Sequence, residues 1–239
     1  MRYESESDRR AMFEQLHTSA DPQAPFFAAK ILRDCMDMTN KGLEAMQKEF
    51  EAKASTVAEL HTRQTEAFQK LKSPCAKFFG RQTTLEEIEE LEAEGVRRGD
   101  PRAIARALAL GKVDSKSNTH EVAGQALDQG DPYVIADVAT WLSQQAGRMT
   151  IMGRPVASAD TVAANIAWQL VACDHGLPCG TDSSHVLSVC AFDGICGKTS
   201  YEDLVRTTIL NAQQYLRAQE LRARILAALH ARDYGSLGI

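Results

Sequence analysis

The residues best suited to chemistry are concentrated in residues 173–196, where four of the chain's six cysteines lie within 24 residues. Cysteines at this density bind a metal, act as reactive thiols or pair as disulfides. Structural zinc sites usually take cysteines about two to four residues apart, and reactive dithiols usually form CxxC, whereas both short spacings here are CxxxxxC. We therefore expect disulfides and no metal site from Cys173, Cys179, Cys190 and Cys196.

The connectivity of these four cysteines is left open by the sequence. Their equal offsets favour a parallel arrangement, in which Cys173 pairs with Cys190 and Cys179 pairs with Cys196. A bridge that closes about 18 residues contributes on the order of 3 kcal/mol. Such bridges would make the loops between the helices rigid.

The other two cysteines, Cys35 and Cys75, are 40 residues apart. Thr39, Asn40 and Gly42 interrupt a region that otherwise favours helix. A turn there would let Cys35 and Cys75 meet across two neighbouring helices, and closing such a loop contributes roughly 4 kcal/mol in the chain-entropy model. We expect a third disulfide, with two free thiols as the alternative.

The cysteine-rich segment also holds the densest group of side chains that could take part in catalysis. A histidine with an aspartate could serve a hydrolase, and two histidines with an aspartate could hold a metal ion. Helix ends and capping already explain several of the aspartates and serines, so we expect partner-binding loops instead. The candidate residues are Asp174, His175, Asp182, His185, Asp193 and Lys198.

Familiar catalytic and nucleotide-binding motifs are absent from the sequence, which contains no HExxH, GxSxG or GxGxxG. Gly197, Lys198 and Thr199 imitate the end of a phosphate-binding loop. That motif requires a glycine where this chain has Phe192, and a strand before it. We therefore expect no cofactor, assign no catalytic residue and favour a protein that is not an enzyme.

Composition narrows the class of partner. The chain has 27 lysines and arginines and 32 aspartates and glutamates. Its formal charge of −5 therefore does not predict the basic surface that binds nucleic acid. No apolar run approaches the roughly 20 residues of a membrane-spanning helix. With 44% apolar residues, a chain of 239 residues can build a buried core. We expect another protein as the partner, with no nucleic acid and no integral membrane segment.

The even number of cysteines favours an exported chain, because cytosolic thiols are kept reduced. The first residues, MRYESESDRRAMFEQLH, are too polar for a signal peptide, and we expect a signal sequence to precede Met1. The predicted location is periplasmic or secreted, with the cytoplasm as the alternative.

The segments that must position these residues have sequence patterns that mostly predict helix. Residues 1–25 are predicted to form an N-terminal extension that ends in a proline-containing linker. Residues 26–80 are predicted to form a long helix or a helical hairpin, and an apolar stripe over 43–71 also fits a homodimer. Residues 81–239 are predicted to form a helical-hairpin domain with cysteine-rich loops.

A three-residue motif repeats in the middle of the chain, where Gly99-Asp100-Pro101 recurs 31 residues later as Gly130-Asp131-Pro132. In each copy the aspartate can cap a helix and the proline can take its first position. The period resembles that of tetratricopeptide and Sel1-like repeats, and this resemblance implies a scaffold that binds proteins. The predicted hairpin helices are 86–98 with 102–110 and 121–129 with 133–145.

The C-terminal third is predicted to contain two helices that carry Cys173 and Cys190, followed by a long last helix over about 200–232, with a bend allowed near 211–217. Ile209 and Leu216 belong to the predicted core of that helix. The predicted fold class is all-α, with helical hairpins in a bundle or a short solenoid-like array that disulfides stabilise.

Three stretches carry a family resemblance: AWQLVACDHGLPCG, VLSVCAFDGICG and LRARILAALHARDYGSLG. Over about the last 75 residues, the chain resembles a group of uncharacterised exported, cysteine-containing, all-helical proteins of proteobacteria. The resemblance implies an exported helical fold with paired cysteines and no established activity, so it assigns no catalytic residue.

We expect a non-enzymatic protein of the periplasm or envelope that binds another protein, in its most concrete form an immunity or inhibitor protein against a secreted bacterial effector. One alternative is a secreted hydrolase or toxin that uses the histidine-containing loops at 173–197. Another is a cytosolic helical-repeat scaffold with reduced thiols.

Overall fold

Helices dominate the fold, and the predicted all-α class with disulfides is confirmed. The computed structural model describes residues 8–36, 41–78, 81–113, 119–144 and 149–239. The helices are α1 (Arg9–His17), α2 (Ala24–Met36), α3 (Lys41–Lys53), α4 (Ala58–Lys72), α5 (Leu85–Arg97), α6 (Pro101–Ala109), α7 (Thr119–Leu127), α8 (Pro132–Gln144), α9 (Thr161–Asp174), α10 (Ser184–Asp193), α11 (Tyr201–Leu204) and α12 (Ala212–Ala231). A short antiparallel hairpin is formed by β1 (Thr150–Ile151) and β2 (Arg154–Pro155).

The chain divides into two compact units, each built from two separate segments. The first unit consists of residues 1–98 and 178–203, and the second of residues 99–177 and 204–239. The division that the sequence predicts, at 25/26 and 80/81, describes consecutive segments and stays a prediction.

In the first unit, α2 packs against α1 and α5, and α10 packs against α3 and α4. The rings of Phe50 and Phe68 stack with centroids 4.6 Å apart and are buried against α10. The stretch 43–71 holds two helices, not one. Between them Ser55 Oγ accepts a hydrogen bond from the Val57 N–H at 3.1 Å, a contact that competes with helix continuation. Val57, an apolar residue between the two helices, is 63% exposed.

In the second unit, α9 packs against α8 and α12, and α6 packs against α7 and α8. Both predicted aspartate caps are confirmed: Asp100 accepts from the Arg102 N–H at 3.0 Å, and Asp131 makes the equivalent contact at 2.9 Å. Arg102 Nε also donates to Asp131 at 2.8 Å, and Arg106 donates to Asp137 at 3.1 Å. These two pairs place α6 and α8 side by side in the same direction. The first predicted hairpin is divided between the units, because α5 belongs to the first.

All six cysteines are disulfide-bonded. Cys35 pairs with Cys75, as predicted, although Thr39 and Asn40 of the predicted turn lie outside the described residues and Gly42 lies within α3. The parallel arrangement of the other four is wrong, because Cys190 pairs with Cys196.

The end of α10 explains this local pairing. Gly194 has a φ of +71°, and its N–H donates to the Cys190 carbonyl at 3.2 Å, while the Ile195 N–H donates to the Val189 carbonyl at 3.3 Å. This left-handed cap folds the chain back over the last helical turn, so Cys196 returns to Cys190.

Helix α9 also ends at a glycine with a positive φ. Gly176 has a φ of +101°, and its N–H donates to the Cys173 carbonyl at 3.0 Å. The Leu177 N–H donates to the Ala172 carbonyl at 2.9 Å. Cys173 and Cys179 are the remaining two disulfide-bonded cysteines.

The prediction of one long C-terminal helix over about 200–232 is wrong for the first part of that stretch. After α11 the chain makes one π-helical turn, Val205–Ile209, and an extended Leu210 precedes α12. Because this break resets the helical register, the predicted core residues Ile209 and Leu216 are exposed, Leu216 to 69%. None of the described helices is long and apolar enough to cross a bilayer.

The last residues fold back onto α7. Leu237 is fully buried, and the Tyr234 hydroxyl donates to Asp128 at 2.7 Å. A Cβ at Gly124 would lie 3.3 Å from the Tyr234 ring, so glycine permits this close approach.

Candidate functional site

The predicted loop residues fall in both compact units. Asp174 and His175 belong to the second unit. Arg222 holds Asp174 with two hydrogen bonds, one of them from Nε at 2.7 Å. His175 Nδ1 lies 2.9 Å from the Val171 carbonyl oxygen in the preceding turn of α9. Both side chains therefore stabilise the end of α9.

Asp182, His185, Asp193 and Lys198 belong to the first unit. Asp182 pairs at the surface with Lys70 at 2.7 Å, and this hydrogen bond raises the pKa of Lys70. His185 lies edge-on to the Tyr201 ring at 5.3 Å, and desolvation lowers its pKa. Asp193 is exposed and Lys198 is half-buried.

Within the described residues, neither His175 nor His185 hydrogen-bonds to a carboxylate. No group of three histidine, cysteine, aspartate or glutamate side chains there could hold a metal ion. Ser183 has a structural part, because its hydroxyl caps α10 by accepting from the Val186 N–H at 3.4 Å. The polar loops thus hold helix ends and surface ion pairs.

A groove that the sequence did not reveal lies on the second unit. It has a volume of about 650 Å³, opens to solvent and is formed between the start of α12 and the turn that precedes α9. Its lining includes Ala159 and Asp160 from the turn, and Gln213, Leu216, Arg217 and Glu220 from α12.

The break before α12 creates this groove. Asn211 Oδ1 accepts from the Gln214 N–H at 2.9 Å, and Gln214 Oε1 accepts from the Asn211 N–H at 3.2 Å. This capping box starts α12 at a new register. Ala218, Leu221 and Ile225 are then buried, and the opposite face presents Leu216.

A chain of ion pairs crosses the groove. Asp160 makes no capping hydrogen bond to α9 and instead accepts from Arg217 Nε at 2.9 Å. Arg217 Nη1 donates to Glu220 at 2.7 Å, and Glu220 also pairs with Arg224. These hydrogen bonds raise the pKa of Arg217 and lower that of Glu220, so the charges stay fixed at neutral pH.

A smaller pocket of about 200 Å³ adjoins the groove at Arg217. Its charged lining consists of Arg154, Arg217 and Arg224, and its apolar wall includes Ile151 and Leu221. The tight turn of the β-hairpin, where Met152 and Gly153 have φ of 56° and 67°, places Arg154 at the rim. We call this site the arginine pocket.

One sequence signal could have located these sites. Asn211 and Gln214 have the residue types and spacing of a capping box, which indicates a helix start inside the stretch predicted as one helix.

Comparison with protein-family models, curated proteins and solved structures finds no match to this chain.

Proposed function

We propose that this chain is a protein-binding protein of the periplasm or cell envelope, and that it acts as an immunity or inhibitor protein that blocks a secreted bacterial effector. We further propose that it belongs to the exported helical proteins of proteobacteria that its C-terminal third resembles. The observation that carries the proposed function is the open groove on the second unit, with the exposed Leu216 in its lining.

The energetics of Leu216 support a binding role. Covering an exposed leucine side chain stabilises a complex by about 1.5–3 kcal/mol. The groove follows α12 from Gln213 to Glu220, so its floor is a regular helix that also packs against α9. A rigid floor lowers the ordering cost of association.

The compartment is supported by the cysteines. Three disulfides account for all six of them, a state typical of proteins in oxidising compartments. An effector released into such a compartment would meet this protein there.

The test is co-purification of the full chain with secreted effectors encoded beside it, using wild type, Leu216→Glu and the matched control Leu85→Glu. Leu85 is 64% exposed, close to Leu216, but lies on α5 of the first unit. We expect one effector to bind wild type and the control equally. Leu216→Glu should lose about 2 kcal/mol of binding free energy, which weakens its binding of the effector about 30-fold.

Two outcomes contradict the proposal. One is that none of these effectors forms a stable complex with wild type. The other is that Leu216→Glu binds as tightly as Leu85→Glu.

A further inference from the structure

We propose that the arginine pocket binds the carboxylate of an aspartate or glutamate side chain in the partner segment that occupies the groove. This inference rests on the proposed function and adds the chemistry of the partner to it. The pocket and the groove share Arg217, so one extended segment can reach both.

The charges around the pocket favour an anion. Arg217 and Arg224 are paired with the carboxylates of Asp160 and Glu220. Arg154 pairs with Ile151 through the backbone of the hairpin, whereas its exposed side chain forms no ion pair or hydrogen bond with a described residue. Three guanidinium groups thus face two carboxylates, and the unmatched positive charge lies at the rim.

The shape of the pocket favours a carboxylate on a short apolar stem. A volume of about 200 Å³ is several times the roughly 30 Å³ that one water takes up in the liquid. Ile151, Val156 and Leu221 can contact methylene groups. The planar guanidinium of Arg154 can then donate two parallel hydrogen bonds to the carboxylate.

The spacing along α12 predicts the sequence of the partner segment. Arg224, which lines the arginine pocket together with Arg154, marks the position of that pocket along α12. It lies eight residues from Leu216, which at 1.5 Å per residue is about 12 Å. An extended chain covers this distance in about four residues. The segment should therefore carry an acidic residue about four positions from the apolar residue that covers Leu216.

The test uses pools of N-acetylated, C-amidated nine-residue peptides and the full disulfide-bonded chain. Each pool fixes a leucine and, four positions before or after it, a glutamate, glutamine or lysine, with the other positions mixed from alanine, serine and threonine. Binding is followed by NMR through the arginine side-chain Nε–H signals. We expect the glutamate pool to bind about tenfold more tightly than the glutamine pool, and the lysine pool to bind more weakly still.

Arg154→Gln should reduce glutamate-pool binding to the glutamine level, whereas the control Arg97→Gln, an exposed arginine of the first unit, should change nothing. Equal binding of glutamate and glutamine pools, or no binding of any pool, overturns the inference. So does inorganic phosphate that displaces the glutamate pool at lower concentration than free glutarate, because the site would then take a phosphate. Glutamate and glutamine pools that bind equally, and bind less tightly to Leu216→Glu, would overturn the acidic specificity while leaving the groove as the binding surface.

Discussion

Gln64 makes three hydrogen bonds from a buried position in the first unit. Its side chain is buried on α4; Oε1 accepts from the Ser55 N–H at 2.7 Å, and Nε2 donates to the Ala191 carbonyl at 3.1 Å and the Lys53 carbonyl at 3.4 Å. Ala191 lies in the last turn of α10, where carbonyls lack partners within the helix. Gln64 therefore satisfies a buried helix end that water does not reach.

Replacing Gln64 with leucine should destabilise the packing of α4 on α10 by about 2 kcal/mol. The Ala191 carbonyl, in a fully buried residue, loses its donor, and a buried unpaired group costs about 1–3 kcal/mol. Lys53 is exposed and Ser55 is half-buried, so their backbone groups can turn to water and add little. A change of 2 kcal/mol corresponds to about 30-fold faster amide exchange from the opened state.

Hydrogen exchange with mass spectrometry on peptides from α4 and α10 measures this effect. Tryptophan fluorescence does not, because Trp141 and Trp168 both lie in the second unit. The matched control is Gln69→Leu, an exposed glutamine on the same helix. Exchange that accelerates less than threefold, or as much as in the control, would refute the role assigned to Gln64.

The two remaining predictions concern the second unit. Unfolding in each case can be followed by the fluorescence of Trp141 and Trp168, which both lie in that unit. Arg222→Gln should lower the free energy of unfolding by about 1–2 kcal/mol, because Asp174 loses its two hydrogen bonds; an unchanged denaturation midpoint would show that this pair is not structural. Burial and the hydrogen bond to Asp128 raise the pKa of Tyr234 to about 12, above the usual value of about 10. Since the fold favours the neutral phenol, this stabilisation is complete below about pH 10 and is lost as the pH rises through 12. Tyr234→Phe should therefore be less stable than wild type at pH 8, and the difference should shrink towards pH 11; a constant difference would contradict the assignment.

Features decided by neighbouring residues were predictable from the sequence. The caps at Asp100 and Asp131 are correct, because a capping side chain needs only the N–H groups that follow it. The all-α class is correct because apolar residues recur at the helical period over most of the chain. The pairing of Cys35 with Cys75 is also correct, although it joins residues 40 positions apart.

Features decided by competition between local and distant contacts were not predicted. The pairing of Cys190 with Cys196 depends on the left-handed turn at Gly194, which equal sequence offsets do not reveal. Leu216 fits an apolar pattern only if the helix continues through Asn211, and the capping box stops it there. The groove and the arginine pocket follow from that break, so neither was among the predicted site residues.

The hydrogen bond between Gln64 and Ala191 spans 127 positions of the chain, which has a consequence for synthesis. At about 5–20 residues per second, a ribosome needs roughly 6–25 s between making α4 and making the segment that covers it. Throughout that interval Phe50 and Phe68 lack the helix α10 that buries them. During this interval Phe50 and Phe68 form an aromatic surface to which chaperones can bind. A fragment that ends at Arg98 lacks α10 and would keep this surface exposed.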